Sequence, residues 1–325
     1  MSIIVGDCRI VMAAMEPESV QCCVTSPPYF GLRDYGHEDQ IGAEATVDAY
    51  VSALVDVFRQ ARRVLADDGT LWLNLGDSYA ANRGRQVPDG KHIDVGNNKW
   101  MRVPGGLKSK DLIGIPWRVA FALQADGWYL RKDIIWAKPN PMPESVRDRP
   151  TSSHEHVFLF AKSEQYHYDA AAIAEPTVRG YGGSTFVDGK TGSNGLGRVS
   201  HRPRFGGIKA AGYGDHRKSG NEYVDRTEMR NKRDVWTIPT RGFSGAHFAV
   251  MPEALVAPCI QAGSRPGDTV LDPFGGAGTV ALVAERLGRR WKIIELNSAY
   301  AEIARRRIDH WRGPLLGLIG QAVAE

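Results

Sequence analysis

Thr269-Val270-Leu271-Asp272-Pro273-Phe274-Gly275-Gly276-Ala277-Gly278-Thr279 decides how this chain is read. Its first three residues form a short β-branched run that reads as a strand. Three glycines then crowd a turn, and residues 279–287 have helical spacing. Glycines between strand and helix permit tight backbone geometry and let a ligand approach main-chain N–H groups closely. The following helix offers further unpaired N–H groups to a carboxylate. The spacing is G-G-x-G after Asp-Pro-Phe, so the dinucleotide fingerprint G-x-G-x-x-G does not fit. No Gly-Lys-Ser/Thr follows, so the turn is not a P-loop either. Glu295 ends the next strand, 291–294, at the spacing where a carboxylate would receive two ribose hydroxyls.

A second motif lies near the other end of the chain. Residues 20–24 read as a strand, and Thr25-Ser26-Pro27-Pro28-Tyr29 follows it. Ser26 Oγ and the Pro27 carbonyl are hydrogen-bond acceptors. Two prolines stiffen the loop that holds them, and Tyr29 supplies a flat face on which a base rotated out of a duplex can stack. Such a loop suits an exocyclic amino group, whose lone pair is delocalised into its ring. Acceptors that pull on the two N–H protons make that nitrogen more nucleophilic.

Working outward, strands and helices alternate. Residues 3–5 read as a strand and 9–15 as a helix stopped before Pro17. Residues 44–66 carry an apolar helical face of Val47, Tyr50, Val51, Leu54, Val57, Phe58, Ala61 and Leu65, with Asp68-Gly69 as its stop. Strands follow at 71–75, 129–136 and 156–160, and helices at 112–123, 252–262 and 298–311. Pro116 is tolerable only near the first turn of its helix. The pattern predicts an α/β fold with a doubly wound, mostly parallel sheet. Its catalytic half spans 1–176, a glycine-rich irregular insertion spans 177–234, and its cofactor-binding half spans 235–325.

With 325 residues the chain can bury a sizeable core. It has no run of eighteen apolar residues and no secretory leader, so neither a membrane span nor export is expected. Cys8, Cys22, Cys23 and Cys259 lack zinc-site spacing, so no metal is expected and reduced thiols of a cytoplasmic protein are the simplest account. Pro258-Cys259 falls inside a predicted helix and reads as core. The net charge is only +4, but residues 81–110 carry +5 and residues 177–234 carry +6. The remainder is therefore acidic, an asymmetry that suits a polyanion. Solvated loops would give the same count. In 177–234, arginines alternate with Tyr181, Phe186, Phe205, Tyr213 and Tyr223, residue types that serve phosphates, guanine edges and displaced bases.

Both motifs resemble those of DNA methyltransferases that modify amino groups. The stretch 267–279 is similar to their DPFxGxGT cofactor motif. Ala246-His247-Phe248-Ala249 with Val250-Met251-Pro252-Glu253 resembles the segment that covers the methionine part of the cofactor. Catalytic motif first, insertion second and cofactor motif last is the permuted order of the β class; Arg33-Asp34-Tyr35 also recurs there. The resemblance implies a Rossmann-like sheet, S-adenosylmethionine as cofactor, double-stranded DNA as substrate and 177–234 as target-recognition region. It implies a bacterial, archaeal or phage source and makes a homodimer plausible. It implies catalysis by Ser26, Pro27, Pro28 and Tyr29. Cofactor contacts would come from Asp7, Thr25, Phe248, Asp272, Pro273, Phe274, Gly276, Gly278, Thr279 and Glu295. Members with Ser in the first catalytic position are mostly cytosine-N4 enzymes and those with Asp mostly adenine-N6 enzymes, so Ser26 points to cytosine, with adenine as the alternative. A non-catalytic DNA-binding protein on the same scaffold, or an enzyme for RNA or protein glutamine, fits the motifs less well.

Overall fold

The computed structural model describes residues 1–31, 40–80, 106–176, 229–240 and 250–322, with side chains as far as 313. Chain order runs β1 (Ser2–Val5), α1 (Cys8–Ala13), β2 (Val20–Thr25), α2 (Val47–Val64), β3 (Leu65–Leu75), α3 (Ile115–Ala125), β4 (Tyr129–Ala137) and β5 (His154–Ala161). After these come β6 (Glu175–Pro176), β7 (Met229–Arg230), β8 (Val235–Thr237), α4 (Glu253–Gly263), β9 (Thr269–Asp272), α5 (Thr279–Arg286), β10 (Arg290–Glu295) and α6 (Ser298–Ala322).

Eight strands form one sheet in the order β1-β10-β9-β2-β3-β5-β4-β8. Every strand of it except β5 runs in the same direction; β5 is antiparallel to both β3 and β4. Away from the register slips in β2 and β4, the strands alternate between two cores, as period-2 geometry requires of a sheet covered on both faces. Cys23, Leu71, Leu73, Phe158, Leu271 and Ile294 pack with α1, α2 and α3. Their neighbours Cys22, Trp72, Val157, Val270 and Ile293 pack with α4, α5 and α6. The doubly wound, mostly parallel α/β architecture expected from the sequence is the one observed.

Local signals explain most element ends. Asp7 caps α1 by accepting Arg9 N–H at 2.7 Å, and Thr46 caps α2 by accepting Ala49 N–H at 3.1 Å. Pro116 occupies the first turn of α3, where its missing N–H costs nothing. Two expectations need correction. The helix expected over 44–66 gives way at Leu65, which is fully buried and pairs with Val20, so β3 starts before Asp68-Gly69 rather than after it. The register slips between Val20 and Cys22, and the Asp-Asp-Gly segment sits in that irregularity. The last helix also continues well past residue 311.

The chain divides into Met1–Ile173 with Asn231–Glu325, and Ala174–Arg230. Of the second unit, the described part is the two-residue ladder of β6 and β7, clasped by Arg230 Nε donating to Glu175 at 2.9 Å. Most of the 81–110 loop and of the insertion lies outside the described residues, as do Arg33-Asp34-Tyr35.

Candidate active site

The carboxyl ends of β2, β3, β4, β9 and β10 open into one cleft of about 260 Å³, where ligands of open α/β sheets bind. Both sequence motifs line it. Ser26, Pro27, Pro28 and Tyr29 are in its wall, as are Asp7, Asp272, Pro273, Phe274, Gly276, Thr279 and Glu295. Thr25 and Gly278 lie behind that wall, and Phe248 falls outside the described residues.

Asp272 is 2% exposed, and its Oδ1 accepts from Thr25 Oγ1 at 2.6 Å and from Phe274 N–H at 3.0 Å. Thr25 itself is fully buried. Its observed contact is therefore to Asp272 rather than to the cleft it was expected to line. Burial pushes the Asp272 carboxyl up to about 7, against the downward pull of these two hydrogen bonds. Glu295 is also pushed up by burial; its oxygens accept Gly276 N–H at 2.7 Å and Asn297 N–H at 2.9 Å. Among the described residues no cation pairs with either carboxyl. Two such groups in one cleft favour a positively charged ligand, because a carboxylate taken from water needs compensation.

Asp7 differs. Its carboxylate caps its own helix and pairs with Arg9, whose side-chain hydrogen bond holds it below the ordinary carboxylate range.

The glycines of the cofactor turn act partly through packing. A Cβ on Gly275 would lie 2.9 Å from Ile293 Cβ, and one on Gly278 would lie 2.9 Å from Ala304 Cβ. Gly276 and Gly278 also adopt left-handed φ of +48° and +75°. Close approach of the turn to β10 and α6 thus by itself requires Gly275 and Gly278.

In the catalytic loop, Tyr50 Oη donates to the Pro28 carbonyl at 2.8 Å, while no described group donates to the Pro27 carbonyl. Pro27 therefore keeps an open acceptor beside Ser26. The Tyr29 ring packs so tightly on Gly76 that a Cβ there would come within 2.7 Å of it. The Tyr29 hydroxyl is directed inward and donates to Glu155 Oε2 at 2.7 Å.

Sequence reasoning missed three residues at this end of the cleft: Asn74, Lys138 and Glu155. Asn74 Nδ2 lies 3.3 Å from Ser26 Oγ, 3.1 Å from Tyr29 Oη and 2.9 Å from Glu155 Oε2. Lys138 Nζ pairs with Glu155 Oε1 and sits 4.4 Å from the Trp136 ring centre. One signal was available: Asn74 interrupts the apolar run Leu71-Trp72-Leu73. Among the described residues no group of side chains is arranged to hold a metal, and no helix is long and apolar enough to cross a membrane.

Residues 20–306 match the family model described as DNA methylase, of the N6/N4 type. The Type II methyltransferase M.Cfr9I of Citrobacter freundii is 45% identical over 305 residues, 94% of this chain and 86% of that protein. M.SmaI of Serratia marcescens is 46% identical over 308 residues, 94% of this chain and 90% of its own. Among solved structures, the cytosine-N4-specific PvuII DNA methyltransferase superposes with a TM-score of 0.60 at 18% identity, over 94% of this chain and 84% of that one. A putative DNA modification methylase of Thermus thermophilus, complexed with S-adenosyl-L-methionine, gives 0.56 at 22%, over 95% and 93%. At these identities the two structures establish the fold.

Proposed function

We propose that this chain, which belongs to the N6/N4 DNA methylase family, transfers a methyl group from S-adenosylmethionine to N4 of a cytosine turned out of double-stranded DNA. The observation that carries the reading is the pair of acceptors in the wall of the cleft, the neutral hydroxyl of Ser26 and the carbonyl of Pro27, to which no described group donates. They match the two N–H bonds of one amino group. Drawing on both protons localises the nitrogen lone pair, and preorganised acceptors do so without reorganising when charge develops. Ser26 favours cytosine through the family usage given above.

The residues fit the cofactor. S-adenosylmethionine, when bound, presents a methyl carbon on a cationic sulfonium. Asp272 and Glu295 supply the negative charge that such a ligand calls for, and each is already oriented by backbone N–H groups. Glu295 has lone pairs left for hydroxyls after accepting from Gly276 and Asn297. Phe274 contributes an apolar ring to the same wall. The family segment around Phe248 would cover the open side.

The basic insertion is the natural target-recognition region, and the Type II relatives support a role in restriction–modification. Nucleosides digested from DNA incubated with protein and labelled cofactor should contain N4-methylcytosine by mass spectrometry. N6-methyladenine alone would reverse the base assignment, and an unmodified digest would remove the activity.

A further inference from the structure

Glu155 and Lys138 form a secluded ion pair that the acceptor chemistry does not use. Their side chains are 15% and 17% exposed. Such a pair seldom stabilises a fold more than apolar residues of the same volume would. The sheet register brings it to the catalytic loop. Trp136 pairs with Glu155 across β4 and β5, Asn74 pairs with Val157 across β3 and β5, and Thr25 pairs with Leu73 across β2 and β3.

Donor and acceptor accounting gives this cluster a direction. A carboxylate only accepts, so Glu155 Oε2 takes the Tyr29 proton at 2.7 Å and an Asn74 N–H at 2.9 Å. The same carboxylate dictates how the Asn74 amide lies: turned over, its oxygen would face Oε2. That orientation leaves the buried Asn74 Oδ1 without a partner among the described residues. With its proton committed to Glu155, the Tyr29 oxygen accepts from Asn74 Nδ2 at 3.1 Å and keeps one lone pair, toward which the hydroxyl of Ser26, held by the same Asn74 nitrogen, can turn. The two Asn74 N–H bonds are shared among Glu155, Tyr29 and, most distantly at 3.3 Å, one lone pair of Ser26 Oγ. The other is left for a substrate.

We propose that Glu155 is a positioning residue for the transfer. Its carboxylate orders a one-way chain, Ser26 O–H to Tyr29 O–H to Glu155, so that Ser26 Oγ meets the target amino group as an acceptor. Lys138 compensates the charge and fixes which carboxyl oxygen faces the loop. This rests on the methyltransferase reading above.

The test is steady-state kinetics on unmodified duplex DNA for wild type, E155Q, Y29F and the double variant, with calorimetric S-adenosylmethionine binding as the check on folding. In E155Q the ammonium of Lys138 claims the amide oxygen, so the amide NH₂ faces Tyr29 and reverses the chain. E155Q should lose about tenfold to a hundredfold in kcat, somewhat less than removal of a direct transition-state donor. The KM for DNA should stay within about threefold, since phosphate contacts dominate DNA affinity. Y29F should lose a similar amount, and the double variant should be no worse than the worse single, because both interrupt one chain. Undiminished kcat in E155Q, or additive losses in the double variant, would overturn the proposal while leaving the reading intact. A wild type that transfers no methyl group would overturn both. Should E155Q fail to bind cofactor, Y29F decides: wild-type kcat there refutes the chain.

Discussion

If Asp272 binds the cofactor as proposed, it couples cofactor binding to pH. Its carboxyl titrates at about 7 in the folded protein, against 3.8 as its ordinary value. Between those values the folded state holds a proton that the unfolded chain releases. The resulting stability is complete below the lower value and is lost as pH rises through the upper one. At 1.36 kcal/mol per unit the loss amounts to about 4 kcal/mol. Denaturant titrations of the cofactor-free protein should show this fall relative to Asp272→Asn, which has no proton to lose. Conversely, S-adenosylmethionine should bind more tightly as pH rises through about 7, because its cation prefers the ionised carboxylate, and calorimetry should find that rise flattened in Asp272→Asn. That Ser26, Tyr29, Asp272 and Glu295 share one cleft was legible in the sequence, because the first three sit in contiguous motifs at strand ends and Glu295 ends the next strand. Asn74, Lys138 and Glu155 were not, since only the register of β3, β4 and β5 brings them together; the polar Asn74 in an apolar run is the one local mark of that cluster.

At the level of elements, the cofactor turn separates two demands on glycine. Gly276 has a left-handed φ but nothing close to a new Cβ, whereas Gly275 and Gly278 abut Ile293 and Ala304. Gly276→Ala should therefore cost about 1 kcal/mol, the strain of the backbone alone. Gly275→Ala should cost roughly 2–3 kcal/mol by overpacking, and Gly278→Ala, which combines both effects, roughly 3–4 kcal/mol. Chemical denaturation of the three variants checks the order; an equal loss at Gly276 would mean that backbone strain dominates the turn. The sequence marked the turn but not the packing of its glycines, because partners 18 and 26 residues downstream are silent in a local motif. The same blindness misplaced the start of β3. Asp-Asp-Gly is a strong local stop, yet tertiary pairing of Leu65 with Val20 outweighs it.

For the whole molecule, charge is the term that local structure does not express. The two basic segments, 81–110 and 177–234, oppose an acidic remainder. DNA affinity should therefore fall steeply with salt, and neutralising the Lys and Arg of 177–234 should both flatten the slope of log K against log salt and blur site preference. Filter binding across a salt series measures the first and competition between duplexes the second; unchanged values would make the insertion a passive linker. Alternation of strands and helices sufficed to predict the sheet, while glycine content and charge marked out 177–234 as a separate segment without giving its structure. The hydrogen bond from Thr25 to Asp272 joins residues 247 positions apart. Strand β2 lies between β3 and β9, so during synthesis one of its edges waits, with bare N–H and C=O groups, until β9 has left the ribosome. A nascent chain thus carries its catalytic loop long before the carboxylate that completes the cleft, and it emerges inert. Methylation would wait for β9 to be made.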